Sequence, residues 1–324
     1  VVDEGEHVDN GGTRWARAIG ARPVLAALVA VLALGALAIP AKDLHLALPS
    51  DSTAAPGTSQ RDAADLIADG FGRGQEARMV VVVDGRDIED PRQAPAAYGE
   101  VAQWLGQLDG VTNAQVVAMN DEGTVAQVMV TPATGASDEA TEELLHTIRD
   151  GIPAQEEATG TTLGVTGLTA IQTDVSEKLQ DALLPYLGVV VGLAFVLLML
   201  VFRSLLVPLT ATLGFVLSTL ATLGATVAIF QEGWFGLIDN TKPILSFLPI
   251  FLIGVIFGLA MDYQVFLVSR MREYYVDTGD ARSAVVHGVR HGARVVTAAA
   301  IIMIAVSLVF VLPNFIKEEK ANSG

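Results

Sequence analysis

Residues 244–269 read ILSFLPIFLIGVIFGLAMDYQVFLVS, a stretch of 26 residues in which Asp262 is the single charged side chain. A helix of about 20 apolar residues is long enough to cross the hydrocarbon core of a bilayer. Because a backbone in lipid must satisfy its own hydrogen bonds, this stretch predicts a membrane-spanning helix. The sequence therefore indicates an integral membrane protein with one carboxylate inside the membrane.

Four further uncharged stretches predict membrane helices, at residues 23–40, 183–202, 205–230 and 295–313. A signal peptide is an alternative for the first, but its apolar core would be about 7–15 residues long, and this run has 18. We therefore expect one transmembrane helix at 23–40 and a four-helix transmembrane bundle at 182–316. Residues 317–324 form a polar tail.

The distribution of Lys and Arg predicts the orientation, because short cytoplasmic segments carry more of these residues than external ones. Three arginines precede the first helix, which places residues 1–22 in the cytoplasm and residues 41–181 outside. The loop after the charged helix is basic too, and falls inside. We expect a multi-pass protein of the plasma (inner) membrane. The arginines before the first helix are Arg14, Arg17 and Arg22. Those in the loop after the charged helix are Arg270, Arg272, Arg282, Arg290 and Arg294.

The composition supports this reading and excludes several functions. Hydrophobic residues make up 51% of the chain and charged residues 17%, and the mean hydropathy is +0.47. The net charge of −16 comes from residues 41–181, which carry 24 acidic and 8 basic side chains. Because a block this acidic repels nucleic acid, we exclude nucleic acid as a partner. The absence of cysteine excludes disulfides, thiolate metal sites and a cysteine nucleophile.

Residues 41–181 predict an exported α/β domain. β-Branched and apolar runs indicate strands at 79–83, 111–119, 124–130 and 161–165, with a turn at 120–123 between the middle two. Helical spacing appears at 91–108 and again after Ser137, which we expect to cap the second helix. The order β-α-β-β-α-β is that of the ferredoxin-like, split βαβ fold. The expected fold class is an α-helical membrane protein with five transmembrane helices and an exported ferredoxin-like α+β domain.

The exported domain shows no catalytic pattern. His146 lies beside Glu142 and Glu143 on a predicted helix, which is typical of a solvated position. Residues 84–87, Asp-Gly-Arg-Asp, indicate a turn rather than a cation site, since Asp and Gly are common in turns. The sequence has no Ser-His-Asp spacing, phosphate-binding loop or metal signature. We expect no enzymatic activity, no cofactor and no metal site.

Asp262 is the candidate functional residue. It precedes Arg270 by eight residues, or about 12 Å along a helix, and a charge so deep in a bilayer costs about 2.5–3.5 kcal/mol on insertion scales. Gly254, Gly258 and Asp262 are spaced by four and share one face, and glycines at this spacing allow a second helix to approach closely. A carboxylate whose ionisation depends on what faces it is suited to carry a proton. The next residue, Tyr263, has a hydroxyl that can relay or cap this proton.

Two other readings of Asp262 exist. It could be a neutral side chain that hydrogen-bonds a neighbouring helix. It could also belong to an intramembrane aspartyl protease, but that chemistry needs two carboxylates sharing one site. Asp262 is the only carboxylate within the five predicted helices, so this chain alone does not supply a protease site.

Together these features resemble one repeat of the resistance–nodulation–division superfamily, in which a helix, an exported ferredoxin-like domain and a helix cluster with Asp-Tyr follow each other. Residues 257–270, FGLAMDYQVFLVSR, are similar to the second-repeat motif of its MMPL (mycobacterial membrane protein large) branch. Residues 69–72 (DGFG), 202–209 (FRSLLVPL) and 285–294 (VVHGVRHGAR) fit the same branch.

The resemblance implies a proton-driven exporter of lipids or lipid-like molecules, with Asp262 and Tyr263 as the second-repeat half of the proton relay. Family members have twelve helices in two repeats, and the five predicted here correspond to helices seven to eleven. We therefore expect a truncated or split chain that is inactive without a first-repeat half or an oligomeric partner. Its other partners would be membrane lipids and a lipid-like substrate. The alternative is a non-transporting scaffold or accessory protein whose exported domain binds lipid or protein.

Overall fold

The computed structural model describes residues 19–236, 238, 241–281, 283–289, 292 and 295–305. The described residues are mostly helical and form two compact units. A helical unit contains the described parts of residues 1–44, 183–239 and 248–324, and an α/β unit contains those of 45–182 and 240–247. Most of the predicted cytoplasmic segment at 1–22, the predicted polar tail at 317–324 and the basic residues Arg282, Arg290 and Arg294 lie outside the described residues.

The described chain contains seven long helices and six strands. The helices are α1 (Pro23–Ala38), α2 (Ser59–Phe71), α3 (Ala94–Gly106), α4 (Glu139–Thr159), α5 (Leu168–Phe202), α6 (Leu206–Thr226) and α7 (Leu248–Thr278). The strands are β1 (Leu46–Ala47), β2 (Met79–Asp84), β3 (Val111–Met119), β4 (Val125–Pro132), β5 (Thr162–Thr166) and β6 (Ile244–Leu245).

Four of the described helices are long and apolar enough to cross a membrane. They are Pro23–Asp43, which joins α1 to a 3₁₀ turn, Leu168–Phe202, Leu206–Gln231, which joins α6 to a π-helical turn, and Leu248–Thr278. The chain is therefore a helical membrane protein. Of the fifth predicted span, Val295–Ala305 is a shorter apolar helix, and residues 306–313 lie outside the described part.

Two helices begin at other residues than the predicted apolar stretches. Helix α5 begins at Leu168, within the predicted exported domain, so the predicted span at 183–202 is the C-terminal part of a longer helix. Helix α7 begins at Leu248 rather than at residue 244, because Ile244 and Leu245 form β6 and pair in parallel with β1. Ser246 is fully buried, and its hydroxyl lies 2.8 Å from that of Ser176. Hydropathy alone does not separate a short buried strand from the end of a membrane helix.

In the α/β unit, a four-stranded antiparallel sheet has the order β3-β4-β2-β5. The inward side chains of β2 alternate along the strand, so Met79, Val81 and Val83 are fully buried while their neighbours are partly exposed. Helices α3 and α4 contribute Tyr98, Val101, Leu105, Leu144, Leu145 and Ile148 to the same core cluster. Both helices therefore cover one face of the sheet.

Ser137 is not the cap of α4, which corrects the sequence prediction. The helix begins after Asp138, and the Ser137 hydroxyl instead donates to the hydroxyl of Ser50 at 3.1 Å. The carboxylate of Asp138 accepts the backbone N–H of Gly135 at 2.7 Å and pairs with Arg73 at 3.1 Å. These contacts fix the turn before the helix in a way that side-chain preference at one position does not predict.

In the helical unit, α6 is the most enclosed membrane helix. In the most apolar 18 consecutive residues of its span, 39% of the residues are buried, against 6–11% in the other three spans. Helices α5, α6 and α7 share an apolar cluster, in which the rings of Phe215 and Phe257 meet edge to face at 5.4 Å. On another side of α6, a Cβ atom at Gly224 would overlap the carbonyl oxygen of Leu37 in α1. The backbones of α1 and α6 are therefore in direct contact.

Candidate functional site

Asp262 lies near the middle of α7. It follows Leu248 by about 21 Å and precedes Thr278 by about 24 Å along the helix axis. The next charged residue, Arg270, stacks over the ring of Phe266 at 5.6 Å and pairs with Glu273 at 3.3 Å. The carboxylate is thus separated from this polar end of the helix by about two turns of apolar residues.

One side of α7 packs within the helical unit. Ile253 and Met261 are buried in the cluster shared with α5 and α6. Gly254 also faces α5, since a Cβ atom there would stand 3.1 Å from the hydroxyl oxygen of Tyr186. Of the two glycines predicted to line the relay, Gly254 is therefore at a described helix–helix contact.

The other side of α7 is uncovered by the described residues. Asp262 is exposed, and Tyr263 is half-buried. A Cβ atom at Gly258 would have no described atom within 4 Å. At about 100° per residue, Asp262 points away from Ile253 by half a turn of the helix. The predicted seam of three residues is therefore divided, with Gly254 in contact with α5 and with Gly258 and Asp262 on an open face.

This geometry leaves the Asp262 carboxylate without a hydrogen bond or ion pair among the described residues. A charged side chain facing lipid is costly, and such residues normally face a helix bundle or a wet cavity. The neighbouring Gly258 offers the small surface that lets another helix backbone approach. Among the described residues, this face of α7 thus presents a carboxylate beside a glycine that has no neighbour within 4 Å of its Cβ position.

A second polar group of residues lies in the α/β unit, and sequence reasoning missed it. The His146 side chain is 49% exposed, as a solvated position would be, yet its Nε2 lies 2.7 Å from Oε1 of Glu177 in α5. Glu142, one turn before His146, also belongs to this group. Burial raises the pKa of the Glu142 carboxyl, while His45 lowers it and Glu177 raises it through their charges. The predicted span began only at residue 183, so Glu177 was not placed on a helix. No local pattern in the sequence therefore indicated that Glu177 lies beside α4.

Residues 84–87 form a turn whose charges are already paired. The Asp84 carboxylate accepts three hydrogen bonds from the Arg86 guanidinium, two from Nε–H and one from Nη2–H, and a fourth, at 3.0 Å, from its backbone N–H. These side-chain and backbone hydrogen bonds lower the pKa of Asp84 to about 2. A cation at this turn would have to displace Arg86.

Long apolar helices, one with a carboxylate at its middle, together with a compact α/β unit define a polytopic membrane protein. The chain belongs to the MMPL family, whose profile matches residues 54–316. The family resemblance that the Asp262 segment suggested is thereby confirmed.

Individual relatives are similar along almost the whole chain. Membrane protein YdfJ of Bacillus subtilis is 41% identical over 307 residues, which cover 93% of this chain and 41% of the relative. The mycolic acid-containing lipids exporter MmpL11 of Mycolicibacterium smegmatis is 31% identical over 303 residues, which cover 92% of this chain and 32% of the relative. The heme uptake protein MmpL11 of Mycobacterium tuberculosis is 29% identical over 306 residues, which cover 91% of this chain and 30% of the relative. The chain thus spans less than half the length of these relatives.

Proposed function

We propose that this chain is the second-repeat half of an exporter of lipids or lipid-like molecules, driven by the proton-motive force. Membership of the MMPL family supports a transporter rather than an enzyme. The M. smegmatis relative, named as an exporter of mycolic acid-containing lipids, supports the substrate class. The observation that carries the proposal is the mid-helix carboxylate of Asp262 on a face of α7 left open by the described residues.

In this proposal Asp262 takes up and releases the transported proton, and Tyr263 relays it. A proton that crosses a potential of 100 mV gives up about 2.3 kcal/mol. An opposing helix that alternately presents polar and apolar groups would alternately favour the charged and the neutral carboxyl. The proton gradient is the energy source, so no cofactor is required.

The open face of α7 supports a second subunit or repeat as the missing half of the relay. Its partner would be a first-repeat transporter half, or another chain in an oligomer, with a polar group opposite Asp262. This chain alone is then inactive, because it supplies one side of the proton path. The different surroundings of Gly254 and Gly258 fit this arrangement. Gly254 lies against α5, whereas Gly258 has no described atom within 4 Å of its Cβ position and is open to a partner helix.

The proposed architecture has five transmembrane helices and a ferredoxin-like exported domain. The four described spans and the apolar helix Val295–Ala305 are compatible with five. The sheet order β3-β4-β2-β5 and the two helices on one face support the ferredoxin-like arrangement. The basic cytoplasmic segments support an N-terminus in the cytoplasm, the α/β domain outside and a location in the plasma membrane.

The proposal is tested by gradient-dependent efflux from reconstituted vesicles. The chain is incorporated with and without a first-repeat half, and fluorescent lipid and heme serve as separate cargoes. We expect lipid efflux only with both halves and an imposed proton gradient. Asp262→Asn should abolish it, whereas Glu273→Gln, the same change at an exposed site near the end of α7, should not. Equal efflux from Asp262→Asn and the parent would show that Asp262 is not the proton site. No efflux from the combined halves would favour a binding scaffold.

A further inference from the structure

The polar group in the α/β unit joins two helices that are distant in sequence. Glu142 and His146 are spaced by four residues on α4, so their side chains share one face of that helix. Glu177 approaches from α5. One ligand-type atom from each residue lies within 4.8 Å of the other two. The three side chains therefore converge on a common point.

The contact between His146 and Glu177 is not an ordinary hydrogen bond. Nε2 and Oε1 are 2.7 Å apart, but Oε1 of Glu177 is shielded from solvent and has no partner with hydrogen-bond geometry in the part of the chain that the structure describes. A carboxylate oxygen that is shielded from water without a hydrogen bond is unfavourable, because it loses its hydration and gains no donor in exchange. A ring nitrogen and a carboxylate oxygen at this distance form an ion pair when His146 is protonated, and when it is neutral they are spaced as two ligands of one cation.

A second ion pair holds this arrangement in place. One turn further along α4, Arg149 makes a bidentate pair with Asp174 of α5, at 2.5 and 2.9 Å. Bidentate arginine–carboxylate pairs fix the relative orientation of the elements that carry them. Arg149 and Asp174 thus keep α4 and the first turns of α5 in register, and the three converging side chains are positioned before any ligand binds.

The charge of the group also favours a cation. Two carboxylates face one imidazole, and the guanidinium of Arg149 is already engaged by Asp174. His45 approaches Glu142 with Nδ1 at 4.0 Å, while its Nε2 lies 3.3 Å from the carbonyl oxygen of Ser137. His45 can therefore orient Glu142 from behind, as outer residues commonly do at metal sites.

We propose that Glu142, His146 and Glu177 bind a divalent transition-metal ion, with Zn²⁺ as the representative species. One imidazole nitrogen and two carboxylate oxygens are a donor set that Zn²⁺ accepts. Mg²⁺ and Ca²⁺ prefer oxygen ligands alone. The three side chains are half-buried or exposed, so the ion can enter from solvent. A tetrahedral ion held by three protein ligands would have its fourth position for water. The bound ion would link α4 to the first turns of α5.

The test measures Zn²⁺ binding by the full chain in detergent, without a polyhistidine tag, at pH 7.5. Isothermal titration and elemental analysis should give one equivalent per chain for the parent. His146→Ala and Glu177→Gln should each weaken binding at least about tenfold. Glu143→Gln removes the same charge as Glu177→Gln from an exposed neighbouring position on α4 and should bind like the parent. Excess Mg²⁺ should not compete.

Two further readouts separate a site from a loss of folding. Circular dichroism should be the same for the parent and for Glu177→Gln. Zn²⁺ at about 100 times its Kd should raise the unfolding temperature of the parent by roughly 5–10 °C, and not that of His146→Ala. Less than 0.2 equivalents of Zn²⁺ bound to the parent, or equal affinity in the parent and both ligand variants, would overturn the proposal. Because binding is measured without transport, these outcomes are independent of the proposed exporter function.

Discussion

The hydroxyl oxygen of Tyr186 in α5 lies 3.1 Å from the position that a Cβ atom would take at Gly254 in α7. The two helices therefore meet closely at this point, and the obstructing atom is the tip of a side chain rather than backbone. This distinction decides how each glycine of the helical unit responds to substitution.

We expect Gly254→Ala to destabilise the chain by about 1 kcal/mol, because the added methyl group presses on the Tyr186 hydroxyl. Tyr186→Phe removes that oxygen, so the double variant should recover most of the loss. Thermal unfolding in detergent measures both effects. Equal unfolding temperatures for Gly254→Ala with and without Tyr186→Phe would contradict this contact.

Gly224→Ala should cost more, about 3 kcal/mol and roughly 5–10 °C in unfolding temperature. The obstructing atom here is the backbone carbonyl oxygen of Leu37, which has no rotamer to move into. Gly188→Ala is a suitable control, because its Cβ position has no described atom within 4 Å. A loss in Gly224→Ala no larger than in this control would show that α1 and α6 do not touch there.

Gly258→Ala separates the stability of the chain from its assembly. Its Cβ position is open among the described residues, so the isolated chain should unfold at the same temperature as the parent. If a partner helix packs against this face, the methyl group should weaken association with the first-repeat half about tenfold. Co-purification of the two halves at graded concentrations measures this. Unchanged association would place the partner elsewhere.

The Asp84–Arg86 pair predicts an acid-sensitive contribution to the stability of the α/β unit. The folded pKa of Asp84, about 2, lies below its ordinary value of 3.8. A carboxyl with a lowered pKa stabilises the folded state above pH 3.8, and this contribution is lost as the pH falls through 2. Arg86→Ala should return the pKa of Asp84 toward 3.8, as NMR titration of the carboxyl would show. Glu89→Gln serves as the control. A pKa that is unchanged in Arg86→Ala would exclude Arg86 as the cause.

Features of the fold that depend on neighbouring residues were predictable. The strand at 111–119 was predicted with its observed bounds, and the turn after it has a local cause. The side-chain oxygen of Asn120 accepts the N–H groups of Thr124 and Val125, and Gly123 adopts a positive φ of 67°. Asn and Gly are residues that favour such a turn, so the sequence predicts it.

Features that depend on distant contacts were not predictable. Ile244 and Leu245 are as apolar as the helix that follows, and only their pairing with Leu46 and Ala47 makes them a strand. His146 gains its significance from Glu177, which is 31 residues away on another helix. Spacing did place Gly258 and Asp262 near one another on α7, but their surroundings depend on what covers that face.

The direct contact of α1 with α6 at Gly224 has a mechanical consequence. Side chains between two helices act as a deformable layer, which allows small sliding motions. At Gly224 this layer is missing, so α1 and α6 are expected to shift as one rigid pair. A displacement of α1 would then be passed directly to α6, whose Phe215 packs in the cluster shared with α5 and α7.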